Sequence, residues 1–296
     1  MSDFILSCCS TSDLTLEHYK KRNIEIAYFH FKIGENEYKD DFGQSISYDE
    51  FYNRMEQGEI TKTSQINVSE FLDYFRSLLA TGKDILHVTL SSGLTGVINS
   101  ANSAKKILEE EFPNQKIYLV DSLCASSGFG MLMDYLADLK EEGKTIEEVY
   151  KYALDTRLNI HHWFFSTDLK YYVRGGRISK TSGTIGTILH ICPLLHVDAR
   201  GLLIPKQKVI SKKRVIKELV KKMEEYAIDG LNYSGKCYIS HSRCIDDALE
   251  IKRLVEEKFV NLKDKVEIFN IGTTIGSHSG PGTAALFFMG KKREID

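Results

Sequence analysis

An apolar run that gives way to hydroxyl and glycine residues, at 85–101 (ILHVTLSSGLTGVINSA), constrains the fold more than any other stretch of the chain. Residues 85–90 are typical of a buried parallel strand, 91–96 of a loop, and 97–112 of an amphipathic helix. The loop therefore lies at the carboxyl end of a strand. In an open α/β sheet, ligands bind at that edge.

The composition of this loop favours an oxyanion as the ligand. Its glycines allow the backbone to approach an anion closely, and the hydroxyls of Ser91, Ser92 and Thr95 can donate hydrogen bonds to it. The helix that follows adds unpaired N–H groups and the positive end of its dipole. A hydroxyl-rich loop can also do no more than cap a helix, and the local sequence leaves both interpretations open.

The composition indicates a globular protein with room for a sizeable core. The 296 residues are 42% hydrophobic and 27% charged with a net charge of −2, which favours two domains and gives no basic field for nucleic acid. The chain has neither a run of about 20 apolar residues nor a basic, apolar leader, so we expect it in the cytoplasm. The six cysteines are scattered and predict reduced packing residues.

The order of the predicted elements divides the chain at residue 160. Strands at 4–6, 24–33, 85–90 and 116–120 alternate with helices at 48–57, 68–80, 97–112, 128–139 and 147–159. This alternation predicts a parallel α/β domain over 1–160. Over 161–296 the elements indicate an α+β domain, with strands at 163–166, 194–197, 202–209, 236–240, 266–271 and 284–289 and helices at 183–191, 211–226 and 245–259. Residues 34–43 are predicted to be a polar turn and 275–283 a glycine-rich loop.

Two basic or titratable groups stand out in the second half. His278 lies among three glycines, two serines and a proline, where it either contacts a ligand or braces the loop. Arg174 and Arg177 flank two glycines, a layout that presents guanidinium groups to an anion or forms an exposed basic turn. His161 and His162 are adjacent on a predicted strand and point to opposite faces, so we predict no metal site. No set of catalytic residues is recognisable.

Six short motifs occur in order along the chain. They are Ser10-Thr11-Ser12-Asp13-Leu14, Thr63-Ser64-Gln65, Ser91-Ser92-Gly93-Leu94-Thr95-Gly96, Val120-Asp121-Ser122, Arg174-Gly175-Gly176-Arg177-Ile178 and Ile275-Gly276-Ser277-His278-Ser279-Gly280-Pro281-Gly282-Thr283. Through these motifs the chain resembles the DegV family of bacterial fatty-acid-binding proteins over essentially its full length. Cys9 and Ile66 depart from the residues common in the family. These departures put in question any role for the first of the motif loops, at 10–14.

The resemblance implies a two-domain fold with a fatty acid in an apolar tunnel between the domains. The residues it assigns to the carboxylate are Thr63, Ser64, Ser91, Ser92, Thr95, His278 and Arg174. It also implies a separate ATP-dependent kinase that converts the bound acid to an acyl phosphate, so the chain is expected to be a monomeric carrier without a cofactor or metal. From the local concentration of positive charge, at least one of Arg177 and Lys180 is expected to face outwards and dock the kinase, with Arg174 nearer the ligand. A dihydroxyacetone-kinase-like substrate subunit and a lipid-responsive regulator remain alternatives.

Overall fold

The computed structural model of the protein describes residues 4–179 and 191–296. Lys180 and the predicted helix at 183–191, apart from Ile191, lie outside the described residues. In that described part, no helix has both the length and the apolar character needed to cross a bilayer.

The described elements alternate in the first half and become strand-rich in the second. The strands are β1 (Phe4–Cys9), β2 (Ile24–Ala27), β3 (His30–Ile33), β4 (Asn36–Lys39), β5 (Thr61–Ser64), β6 (Asp84–Thr89), β7 (Ile117–Asp121), β8 (Ile160–Ser166), β9 (Ile191–Val197), β10 (Leu203–Ile210), β11 (Cys237–His241), β12 (Val266–Asn270) and β13 (Thr283–Met289). The helices are α1 (Leu16–Lys21), α2 (Tyr48–Glu56), α3 (Val68–Leu79), α4 (Val97–Glu111), α5 (Ser126–Glu141), α6 (Ile146–Thr156), α7 (Lys170–Arg174), α8 (Lys212–Tyr226), α9 (Ile245–Lys258) and α10 (Thr273–Ser279).

A four-stranded parallel sheet, in the order β2-β1-β6-β7, forms the first half and confirms the predicted α/β class. Its central strands are almost entirely buried, as expected for parallel strands covered on both faces. Helices α3 and α4 pack against each other. Helix α5 is buried over most of its length and contacts β1 as well as β8, β11 and β13, so it lies between the two main sheets.

A six-stranded mixed sheet, in the order β10-β9-β8-β13-β11-β12, forms the second half. Helices α8 and α9 cover one face, over a core that contains Trp163, Phe165, Leu286 and Phe288. The alternate residues of β8 and β13 face the first half of the chain. The two sheets give the two-domain architecture that the sequence predicts; the boundary at residue 160 stays a prediction.

A third, three-stranded antiparallel sheet in the order β4-β3-β5 was not predicted. The predicted strand at 24–33 is wrong because the chain leaves the parallel sheet after Ala27. Phe29 N–H donates to Ser10 Oγ there, and the chain resumes as β3. The predicted turn at 34–43 is wrong as well, since β4 lies within it as the second strand of a hairpin. Together with α2, this sheet encloses a small core around Phe31 and Phe51.

The prediction of a loop at 275–283 is also wrong, because α10 occupies its first half. Glycine and serine favour helices weakly, so local sequence gives no helical signal. Tertiary contacts hold the helix instead: the Asp40 carboxylate accepts hydrogen bonds from Thr273 N–H and Oγ1, and Tyr52 Oη donates to Ile271 O. Gly280 ends the helix with φ of 69°, a left-handed conformation that favours glycine.

Candidate ligand-binding site

A cavity of about 420 Å³ lies between the two main sheets, at the carboxyl edge of the parallel sheet, and it is within the size range of small-molecule sites. Its apolar lining consists of Phe29, Leu90, Leu94, Ala125, Phe164, Val197, Leu203, Ile271, Ile275, Ala285 and Phe287. Its polar lining consists of Thr63, Ser64, Gln65, Thr95, Ser126, His162, Tyr172, Arg177, Ser240, Thr274, His278, Ser279 and Thr283.

The six-stranded sheet supplies one wall of the cavity through alternate residues. Ala285 pairs with Phe164 on one side and with Ser240 on the other, and Phe287 pairs with His162. Cross-strand partners share a face of a sheet, which explains why all five line the cavity. His161 lies on the opposite face and contacts Lys291 O, as the alternation along a strand predicts.

His278 and Thr63 form a close polar pair in the cavity wall, with His278 Nε2 2.7 Å from Thr63 Oγ1. The other ring nitrogen, Nδ1, is buried, has no hydrogen-bond partner, and faces Gly175. A proton on Nδ1 would be a buried unpaired donor, whereas a proton on Nε2 is donated to Thr63. The geometry therefore favours the Nε2–H tautomer, which leaves the Thr63 hydroxyl proton free for a ligand.

His278 is held in the neutral form. Burial, together with the nearby charges of Arg177 and Arg174, lowers its pKa to about 3. The ring also depends on the absence of a side chain at Gly175, where a Cβ atom would lie 2.3 Å from Nδ1. A neutral, tightly packed imidazole can orient Thr63 and cannot act as the cation that binds an anion.

Thr95 is coupled to Gln65 rather than free. Its hydroxyl donates to Gln65 Oε1 at 2.6 Å, and Gln65 Nε2 donates to Ser100 Oγ at 3.3 Å. The Ser100 hydroxyl can donate as well as accept, so a rotation of the Gln65 amide by half a turn satisfies the same partners. In that second orientation Gln65 donates to Thr95, and the Thr95 proton is free for an anionic ligand.

The two arginines of the glycine turn occupy positions opposite to those predicted. Arg177 lines the cavity, where its guanidinium donates to Gly175 O at 2.5 Å and to Leu94 O at 3.1 Å. Arg174 is exposed and lies 5.2 Å from the centre of the Tyr171 ring. The predicted orientation is thus wrong, because α7 ends at Arg174 and the turn at Gly175–Gly176 directs the next arginine inwards. Burial lowers the Arg177 pKa, with no carboxylate among its hydrogen-bond partners.

The predicted serines divide between the cavity and the surrounding scaffold. Ser64 lines the cavity and is also exposed, so it marks an opening. Ser91 is fully buried outside the lining and donates to Gly201 O, where a Cβ atom at Gly201 would collide with it. Ser92 is exposed, and its N–H donates to Asp121 Oδ1. The structure therefore brings Thr63, Ser64, Thr95 and His278 together and leaves Ser91 and Ser92 to brace the loop.

The sequence comparisons identify the family of the chain. The family model described as "Uncharacterised protein, DegV family" matches residues 9–291. The chain belongs to the DegV family. A DegV domain-containing protein of Clostridium perfringens is 33% identical over 294 residues, which cover 99% of this chain and 100% of the relative. Another, from Lactococcus lactis, is 32% identical over 283 residues, covering 96% of each chain.

Solved DegV structures share the whole fold. A DegV lipid-binding protein of Thermotoga maritima is 26% identical with a TM-score of 0.83, covering 99% of this chain and 100% of that one. A second Thermotoga maritima protein, whose structure reveals a fatty acid binding function, is 25% identical with a TM-score of 0.82, covering 98% and 100%. A fatty acid binding DegV protein of Streptococcus agalactiae is 25% identical with a TM-score of 0.82, covering 99% and 100%.

Sequence reasoning on this DegV protein missed Gln65 and the cavity face of the six-stranded sheet. Gln65 was visible only as the third member of a motif, and its partner Ser100 lies in α4, 35 residues further along the chain. The alternation of Thr283, Ala285 and Phe287 was a usable signal for a two-faced strand. Within residues 4–179 and 191–296, no three His, Cys, Asp or Glu side chains come close enough to hold a metal ion.

Proposed function

We propose that the protein binds a long-chain fatty acid in this cavity and presents its carboxylate to a separate ATP-dependent kinase, which forms an acyl phosphate. The observation that carries the proposal is the pairing of an extended apolar wall with a compact group of donors, Thr63, Thr95, Arg177 and His278. We further propose that the protein acts as a monomeric cytoplasmic carrier and that catalysis resides in the partner.

The apolar wall accounts for affinity. Each methylene that leaves water contributes roughly 0.8 kcal/mol, so a long acyl chain gains many times what a single polar contact supplies. Phe164, Phe287, Val197 and Leu203 offer such a surface on the six-stranded sheet, and Phe29, Leu90 and Ile275 complete it from the other side. A small ketone, the ligand of a dihydroxyacetone-kinase-like subunit, would leave most of this surface unused.

The donors account for recognition of the head group. Removing a carboxylate from water is costly unless hydrogen bonds or a positive charge replace the solvent. In our proposal Thr63 donates its free proton, Thr95 donates after the Gln65 amide turns, and Arg177 supplies charge. An arginine with two of its five N–H groups bound to carbonyl oxygens keeps others for a carboxylate.

The position of the donors suits transfer to a partner. Ser64, next to Thr63, and Arg174, at the start of the turn that leads to Arg177, are both exposed, so in our proposal the carboxylate lies near the opening with the acyl chain inside. Arg174, and not Arg177, is the exposed cation of this turn within the described residues. We therefore assign kinase docking to Arg174; Lys180 stays a candidate for the same role.

Native mass spectrometry of the purified protein tests the proposal. We expect an added mass equal to one long-chain fatty acid, lost on delipidation and restored by titration with palmitic or stearic acid. Incubation of the reloaded protein with its cognate kinase and ATP, followed by detection of the acyl phosphate, tests the proposed phosphorylation of the bound acid. Binding without acyl phosphate formation would instead indicate a lipid-responsive regulator. A covalent adduct of a small ketone on His278 would indicate the dihydroxyacetone-kinase-like alternative.

A further inference from the structure

A second polar group, remote in sequence from the Thr63–His278 pair, lies in the cavity wall and has no part in holding the carboxylate. Ser126 and Ser240 both line the cavity, and their Oγ atoms are 3.1 Å apart. Ser126 Oγ also donates to Asp13 Oδ2 at 2.6 Å. All three side chains are buried, with exposed fractions of 6%, 0% and 2% for Ser126, Ser240 and Asp13.

The direction of the protons along this chain of hydrogen bonds is determined by the carboxyl group. Ser126 uses its only proton on Asp13 Oδ2, so its oxygen accepts the proton of Ser240. Burial raises the Asp13 pKa well above its ordinary value, and the charge of Asp40 adds to this. A proton on Asp13 Oδ2 reverses both bonds, so that Ser126 donates to Ser240; a hydroxyl oxygen has two lone pairs, and Ser240 keeps one unused in either direction. Ser240 is therefore the last member of this series of hydrogen bonds, and its oxygen has an unused lone pair at the cavity wall.

Of the neighbouring polar groups of the wall, His162 and Thr283 already have partners, whereas Thr274 Oγ1 and Ser279 Oγ are buried without one among the described residues. His162 Nε2 accepts a hydrogen bond from Ala125 N–H, and its Nδ1 lies 3.0 Å from Ile160 O. Thr283 donates to Ser279 O and so accepts the proton of Tyr172. Ser240 differs from His162, whose two ring nitrogens are both engaged, because its hydrogen bond to Ser126, the one found for its side chain among the described residues, leaves an oxygen lone pair unused.

We propose that Ser240 accepts a hydrogen bond from a hydroxyl group on the acyl chain, so that the cavity takes monohydroxylated long-chain fatty acids as well as plain ones. The inference rests on the proposed function and adds a ligand class to it. A hydroxyl that enters an apolar cavity without a partner loses its hydrogen bonds to water and weakens binding. A hydroxyl at the acyl-chain position next to Ser240 forms a hydrogen bond there, which offsets that loss.

The sheet limits where on the acyl chain this hydroxyl can be. Ser240 pairs with Ala285, which pairs in turn with Phe164, so the acceptor is one member of a row that is otherwise apolar. Neighbouring strands lie about 4.8 Å apart, or roughly four methylenes, so a hydroxyl moved by about that many carbons along this row lies against Ala285, which offers no acceptor side chain. The proposal therefore requires a sharp dependence on hydroxyl position, and not a general tolerance of polar chains.

The experiment is a titration of the delipidated protein with stearic acid and with monohydroxystearic acids that differ only in hydroxyl position. We expect one position, or two adjacent ones, to bind about 5- to 10-fold tighter than the other isomers. Ser240→Ala should remove this advantage, measured as the affinity ratio of that isomer to stearic acid. Ser166→Ala, a buried serine of the same sheet outside the cavity lining, should keep the ratio of the native protein.

The outcomes separate the two proposals. Stearic acid binding with no positional preference among the hydroxy acids overturns the hydroxyl site and leaves the proposed function standing. A preference that survives Ser240→Ala places the acceptor elsewhere and also overturns it. Failure of stearic acid itself to bind overturns the proposed function. The positional series uses the native protein, so the answer does not depend on whether the Ser240→Ala variant folds.

Discussion

The Thr63–His278 pair provides the sharpest test of how the carboxylate is held. Thr63→Val keeps the volume and branching of the side chain, so β5 and its packing are retained, and removes only the hydroxyl. In our account that hydroxyl donates to a carboxylate, and hydrogen bonds to charged groups contribute about 1.5–3 kcal/mol. At about 1.4 kcal/mol per decade of affinity, the expected loss is roughly 10- to 150-fold.

The role of His278 follows from the same geometry. Its Nε2–H group donates to Thr63 Oγ1 at 2.7 Å and turns the Thr63 proton towards the ligand, so His278 positions Thr63. His278→Ala should therefore weaken binding through Thr63. In the Thr63→Val background the same replacement has little left to remove, and the two effects should be clearly less than additive, with a coupling energy above about 0.5 kcal/mol.

The assay is a titration of each delipidated protein with palmitic acid, accompanied by thermal unfolding to confirm that each variant is folded. Thr81→Val, an exposed threonine whose hydroxyl donates to Leu78 O, is the matched control and should bind as the native protein does. Additive losses in the double variant would refute the positioning role. Unchanged affinity in Thr63→Val would refute Thr63 as a ligand contact.

Three further predictions follow from named contacts. Gly175→Ala should weaken fatty-acid binding about 10-fold or more, because its Cβ would displace His278. Gly176→Ala, at φ of 71° in open space, should lower the free energy of unfolding by about 1 kcal/mol and leave binding unchanged. A ligand titration and a urea unfolding curve of each variant check both expectations. Arg177→Met should weaken binding more than Arg174→Met, and equal losses in a titration would contradict the inward position of Arg177. Burial lowers the His87 pKa to about 3, so below pH 6.5 His87 is protonated in the unfolded chain and stays neutral in the folded one, and the free energy of unfolding falls as the pH drops. His87→Gln should remove about 2 kcal/mol of the stability loss between pH 7 and pH 5, measured by urea unfolding. An unchanged dependence of stability on pH would contradict this.

The sequence by itself determined the parts of this protein that depend on local periodicity. The buried run at 85–90 and the amphipathic helix after it could be recognised because a parallel strand and a helix each leave a characteristic spacing of apolar residues. The loop between them was therefore placed correctly at the carboxyl edge of a sheet. The family was likewise evident, since six motifs in order carry more information than any one of them.

Only the tertiary structure decided which of the candidate residues meet. Ser91 and Thr95 belong to one loop, yet Ser91 is fixed by Gly201 and Thr95 faces the cavity, because the turn of the β9–β10 hairpin packs against Ser91 and Gly93. Helix α10 exists because Asp40 and Tyr52, more than two hundred residues earlier, hold it. Arg177 turns inwards for a similar reason, since the carbonyl oxygens that it binds belong in part to another domain. Side-chain direction at such positions is determined by contacts distant in sequence, and local composition does not encode them.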